Sequence, residues 1–145
     1  MPTGPESERE VREHLRADYG MAAVARIAKG EISDLLASGE RVVIDGVYSH
    51  AEIDNIKSTL LGPISTIAVH SRKSLRYRRM ERRPVRPLTP DQLDERDIRE
   101  IAALDKATPI ALADFHFVND GTMDDLEAGV RQALECLDPL ICPGE

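Results

Sequence analysis

Three short apolar runs, RVVIDGV at 41–47, ISTIAVH at 64–70 and ADFHFVND at 113–120, alternate with stretches whose apolar residues recur at helical spacing. That alternation constrains the fold more than any other feature of the chain. Parallel strands cannot be joined by a tight turn, and each crossover needs a dozen or more residues, usually a helix. Strands and helices in alternation therefore imply βαβ units and a parallel sheet. The unbroken Val42-Val43-Ile44 run suits a strand covered on both faces. The expected architecture is α/β: a three-layer parallel sheet with flanking helices.

The helices have legible ends. Val11, Leu15 and Tyr19 mark one that stops at Gly20, and residues 21–40 carry a stripe of Val24, Ile27, Ala28, Ile32, Leu35 and Leu36 closed by Gly39 at the C′ position. Ser49-His50-Ala51-Glu52 is a capping box that opens a third helix bearing Ile53, Ile56 and Leu60. A basic helix leaves the second strand and runs to Pro84. Thr89-Pro90-Asp91-Gln92 starts another, with Leu93, Ile98, Ile101 and Leu104 on its apolar face. Thr122 caps the last, whose face reads Met123, Leu126, Val130, Leu134 and Leu137. Residues 1–10 read as a flexible segment, 11–137 as the domain, and 138–145 as a tail.

Charge is uneven. The 145 residues carry a formal net charge of −7, yet residues 72–86 hold eight bases and one acid. Charge focused in this way meets an anion or forms a solvated helix face. Aromatic residues are 3% of the chain, with no Trp, which disfavours a base-stacking platform. The negative total also makes nucleic acid an unfavoured partner. Two cysteines, Cys136 and Cys142, are too few for a disulfide framework, so a reducing cytoplasm is expected. No apolar run approaches the length of a membrane span.

Ligands of parallel sheets bind beyond the carboxyl ends of the strands. Asp45, His70 with the basic segment, and Asn119 with Gly121 all fall at such ends. Asp45 reads either as an acid of the Walker B type near Mg²⁺ and phosphate, or as a side chain bonding amides of the following turn. Arg76, Arg79 and Arg83 share one helical face and suit bidentate binding of phosphate oxygens. Arg72, Arg82 and Arg86 are expected to face solvent or to steer a ligand. Arg96, within Asp94-Glu95-Arg96-Asp97, reads as a further phosphate ligand or as a partner in intrahelical ion pairs. His14, His50, His70 and His116 show no metal-ligand spacing. Cys136 is expected in the core, and no serine sits in a nucleophile elbow. No G-x-x-x-x-G-K-[ST] occurs in the 145 residues.

VVIDGVYSHAEI, IAVHSRKSLRYRRM, RPLT with DERD, and PIALADFHFVNDGT, in that order over about residues 20–135, resemble the nucleotide-kinase-like P-loop proteins related to dephospho-CoA kinase. The resemblance implies a P-loop kinase fold, a mobile arginine-bearing lid over about 72–100, and ATP with Mg²⁺ as phosphoryl donor. By position it makes Asp45 the Walker-B-type acid and an indirect Mg²⁺ ligand. It makes Arg76, Arg79, Arg83 and Arg96 phosphate ligands, and puts Asn119 and Gly121 beside the nucleotide base. Tyr48 departs from the arginine usual in the family's first motif, and Arg72-Lys73 makes this lid more basic. The family's first strand and phosphate loop precede the matched region, and that strand lies centrally between those equivalent to 41–47 and 64–70.

The implied function is phosphoryl transfer from ATP to a small hydroxyl or phosphate acceptor, with negligible turnover expected of this chain alone. The alternative is a non-catalytic module, derived from a kinase domain, that binds nucleotide, RNA or an acidic partner. An unpaired strand edge would favour a homodimer or a partner chain that supplies the missing strand.

Overall fold

The computed structural model of the protein describes residues 5–60 and 62–137. Their order is α1 (Pro5–Tyr19), α2 (Ala23–Ala37), α3 (His50–Thr59), β1 (Ile67–His70), α4 (Lys73–Glu81), α5 (Pro90–Leu104), α6 (Ala107–Ala111), β2 (Phe115–Val118) and α7 (Met123–Leu137). The class is α/β, as the alternation implied. β1 and β2 pair in parallel, with Ile67 opposite Phe115 and His70 opposite Val118. The expected three-layer sheet is not what forms: among the described residues the sheet has two strands.

The first expected strand accounts for the difference. Residues 41–47 form no strand, and Val43 is 91% exposed. A run of Val and Ile becomes a strand only where neighbouring backbone completes its ladder, and this run meets none among the described residues. Its Val42 and Val47 instead pack as single anchors against helices.

The chain divides into two compact units, residues 1–64 with 100–109, and residues 65–99 with 110–145. The first unit is helical. Ala25 and Ile32 of α2 meet Ile56 of α3 and the following Leu60, with Ala28, Val42, Val47 and Ile64 around them. Gly39 ends α2 at φ +84, where the Gly39 amide donates to Leu36 and the Glu40 amide to Leu35. That is the Schellman pattern, and glycine adopts its left-handed residue without a Cβ penalty. The Ser49–Glu52 capping box forms as read. Pro5–Glu10, expected to be flexible, lie in α1, while residues 1–4 and the expected tail at 138–145, Cys142 included, are outside the described residues.

In the second unit the Thr89–Gln92 box also forms, each backbone amide donating to the other side chain. Helix α4 ends at Glu81 rather than continuing to Pro84. Proline disfavours helical backbone in the residue before it, and Arg83 precedes Pro84. The inner stripe of α7 is rotated from the expected one: Ala133 is buried and Leu126, Gly129 and Leu137 half-buried, while Met123, Val130 and Leu134 are exposed. Gly129 lies against the Phe117 ring, so the small residues let α7 approach the strand pair. Cys136, expected in the core, is exposed as a result. On α5 Leu93 is buried, but Ile98 and Ile101 are not. Helix α6 was not anticipated. Thr108 donates to the Asp105 carboxylate at its start, and Pro109 sits in its first turn, where a missing amide hydrogen costs nothing.

Candidate functional site

The carboxyl ends of β1 and β2 carry a compact polar assembly within the second unit. The pairing extends past the strands, since the Asn119 amide donates to the His70 carbonyl at 2.7 Å. Asp120 then turns its carboxylate back across the strand ends. Oδ1 accepts from the Arg72 amide at 2.8 Å and from Ser71 Oγ at 3.1 Å, and Oδ2 accepts from Arg72 Nε at 2.8 Å. Foremost the Arg72 amide, then Ser71 Oγ and the Arg72 guanidinium, hold this carboxyl below the ordinary value of 3.8.

From α4, Arg79 reaches the same loop. One guanidinium nitrogen donates to the Asn119 carbonyl at 2.7 Å and the other to the Gly121 carbonyl at 3.2 Å. Beyond it, Thr122 caps α7 with Asp125, whose carboxylate accepts from the Thr122 amide and hydroxyl. A Cβ on Gly121 would run into that carboxylate, so only glycine fits there without displacing the cap. The Thr122 amide, then its hydroxyl, lower the Asp125 pKa.

Helix α4 is fastened to α5 on another side. Lys73 Nζ donates to Asp94 at 2.8 Å, Tyr77 Oη to Asp94 at 2.8 Å, and Arg76 to Asp97 at 2.6 Å. Asp94, then Tyr77, raise the Lys73 pKa, and the same contacts depress that of Asp94. Leu75, Arg78, Arg79 and Arg82, spaced i, i+3, i+4 and i+7, line a shallow hollow on α4. Arg78 and Arg82 make no ion pair among the described residues.

The structure therefore brings together Arg79, Asn119 and Gly121, three of the residues singled out by sequence. Arg76 is occupied by Asp97. Arg83 lies beyond the end of α4, near Met80 Sδ, so it does not share a helical face with Arg76 and Arg79. Arg96 is half-buried on α5 and has a partner of its own. Sequence reading missed Asp120 as the organiser, because an Asn-Asp-Gly turn gives no hint of the distant Ser71 and Arg72. It gave Arg82 to solvent or to ligand steering and no role to Arg78, although their spacing from Leu75 is visible.

Asp45 belongs to the first unit, with an exposed side chain before Gly46 at φ +79. The amides of the turn that follows are taken by Glu52, which accepts from Tyr48 at 2.8 Å and Ser49 at 3.1 Å. Asp45 is thus not the side chain that satisfies them. Among the described residues no three His, Cys, Asp or Glu side chains gather around a metal position. Mg²⁺ retains waters and takes one or two carboxylates together with substrate phosphates, so the single Asp45 fits it only with a nucleotide present.

The depressed Asp120 carboxyl has a testable consequence. Its contribution to stability is complete above its unfolded value and is lost as pH falls through the lower folded value. Denaturant midpoints measured at about pH 5 and about pH 3 should fall for the wild type, and fall less for Asp120→Asn. An equal fall in both proteins would show that Asp120 does not carry the effect.

No protein-family model matches the chain. Among curated relatives, a UPF0200 protein of Thermococcus onnurineus is 32% identical over 132 residues, 90% of this chain and 71% of that protein. A UPF0200 protein of Pyrococcus abyssi is 30% identical over 146 residues, 92% of this chain and 75% of its own. One of Saccharolobus solfataricus is 33% identical over 114 residues, and there the matched part is 60% of the relative's length. Similarity at this level, over nine-tenths of the chain and more than two thirds of the first two relatives, makes the chain a member of the UPF0200 family.

Proposed function

We propose that this UPF0200 protein is of P-loop nucleotide-kinase descent, related to dephospho-CoA kinase. In this reading its second unit supplies the phosphate-binding arm and base-side loop for ATP-dependent phosphoryl transfer to a small acceptor. One observation carries the proposal: Arg79 of α4 is bonded to the Asn119 and Gly121 carbonyls of the loop that leaves β2, at the carboxyl end of a parallel pair. Ligands of open α/β sheets bind at that end.

Anchored there, α4 and its C-cap present Arg78 and Arg82 as guanidinium forks for phosphate oxygens, with no carboxylate among the described residues paired to them. Arg79 positions the Asn119–Gly121 loop beside them. Asp45 is the carboxylate this reading assigns to the metal. MgATP, when bound, supplies the phosphoryl group. No G-x-x-x-x-G-K-[ST] motif for its β- and γ-phosphates occurs in the 145 residues, so this chain by itself is expected to bind without turnover. The exposed basic face of α4 equally suits, as second reading, a binding module without chemistry.

Binding of MgATP to the purified chain, followed by calorimetry, tests the proposal. Two charge-assisted hydrogen bonds of roughly 1.5–3 kcal/mol each are at stake. Arg78→Gln with Arg82→Gln should therefore weaken binding by at least about tenfold. Failure to bind MgATP, or equal binding by the double variant, would overturn the reading. ATP turnover abolished by Asp45→Asn would show that the chain is catalytic as it stands. Steeply salt-dependent RNA binding through the same arginines would favour the module.

A further inference from the structure

Two of the four histidines that look scattered in the sequence, His70 and His116, meet in the fold. In the register Ala68 opposite His116 and His70 opposite Val118, His70 and His116 lie diagonally on one face of the β1–β2 pair. His70 Nε2 and His116 Nδ1 are 2.9 Å apart. The ring centroids are 5.2 Å apart and the ring planes 20° from parallel. That centroid distance is the nitrogen–nitrogen distance plus two ring radii, so the rings meet edge to edge with their nitrogens in line. Both side chains are exposed, and neither meets a carboxylate among the described residues.

We propose that His70 and His116 form a two-histidine site for a divalent transition metal of the Zn²⁺, Ni²⁺ or Cu²⁺ class. Imidazole is a preferred ligand for these ions, and two facing rings offer a lone pair each once the proton between them is moved and the rings tilt toward a common point. The ring that now donates takes up its other neutral tautomer: the proton leaves His70 Nε2 for Nδ1, or His116 Nδ1 for Nε2. No charge changes, and both facing nitrogens are then free to ligate. Two metal–nitrogen bonds of about 2.0–2.1 Å at a tetrahedral angle need the nitrogens roughly 3.3 Å apart. The rings must therefore open by only a few tenths of an ångström and tilt, a motion that the broad χ2 of exposed histidines permits. Water completes the coordination, so the site is open and exchangeable. It lies one residue before the Ser71–Arg72 corner held by Asp120, where a bound ion would cross-link the two strands beneath the candidate site. This proposal does not depend on the kinase reading.

The full chain, titrated with Cu²⁺ and read by electron paramagnetic resonance, should show hyperfine coupling to two nitrogens. His70→Gln or His116→Gln should reduce this to one. Zn²⁺ affinity should fall by at least the roughly 10–100-fold that even an outer-shell change costs, while circular dichroism checks that each variant is folded. Zn²⁺ should raise the thermal midpoint of the wild type but not of the double variant. A spectrum of one nitrogen or of oxygen alone in the wild type would overturn the proposal. So would Zn²⁺ affinity that survives in the double histidine variant, or affinity that vanishes in a Cys136→Ser, Cys142→Ser protein with both histidines intact.

Discussion

Glu52→Ala should unfold the first unit at markedly lower denaturant, with a loss of about 3–5 kcal/mol, the range found when one partner of a buried ion pair is removed. Glu52 is 4% exposed and serves three donors. It accepts from the Tyr48 and Ser49 amides and, at 3.4 Å, from Arg16 of α1, whose side chain is 9% exposed. Truncation strands two amides at the start of α3 and leaves a cation buried without its counter-charge. Each of these costs more than the original bond contributes.

Stabilities of whole proteins are only about 5–15 kcal/mol, so the variant should lie near the edge of folding. Glu52→Gln, which keeps the volume and an acceptor, should lose less. Arg16→Ala in the Glu52→Ala background should cost little further, because the two residues act as one unit. A Glu52→Ala midpoint close to that of the wild type would mean that the box and the ion pair do not hold α1 to α3.

Arg79→Gln should release the loop at 119–121 and weaken MgATP binding together. The two bonds from Arg79 lie at an exposed site, where solvent screening brings them below the usual range for charged donors, to about 2 kcal/mol in all. Hydrogen exchange should report this locally, as faster exchange of the Asn119 amide, which donates to His70 beneath the loop. Arg79→Lys is the informative comparison. It keeps the charge but lacks the rigid fork that spans the Asn119 and Gly121 carbonyls. If the lysine protein retains both affinity and protection, Arg79 acts only as a local charge and not as the brace of the loop.

Much of the local structure was legible because its causes are local. The Ser49–Glu52 and Thr89–Gln92 boxes and the Gly39 terminus each arise from residues within a few positions of the backbone they satisfy. The strands at 67–70 and 115–118, and their parallel sense, followed from the helices between them. The stripe of α7 was read one step around the helix, since the largest apolar residues drew the eye and the small Gly129 and Ala133 did the packing. The arginine cluster announced its charge, but nothing in its spacing said that Arg76 would be spent on Asp97 while Arg78 and Arg82 would be left to the hollow.

By itself the sequence determined most of the helical segments, the capped starts of α3 and α5, the glycine stop of α2, and that a basic arm follows a strand end. Those properties depend on hydrogen bonds and sterics within one or two turns of chain. Tertiary structure alone decided three further matters. Residues 41–47 form no strand, Asp120 gathers Ser71 and Arg72, and His70 comes to face His116. Each depends on a partner that is distant in sequence, or missing, and the free energy of a ladder bond, an ion pair or an imidazole contact exists only once that partner has been brought into place.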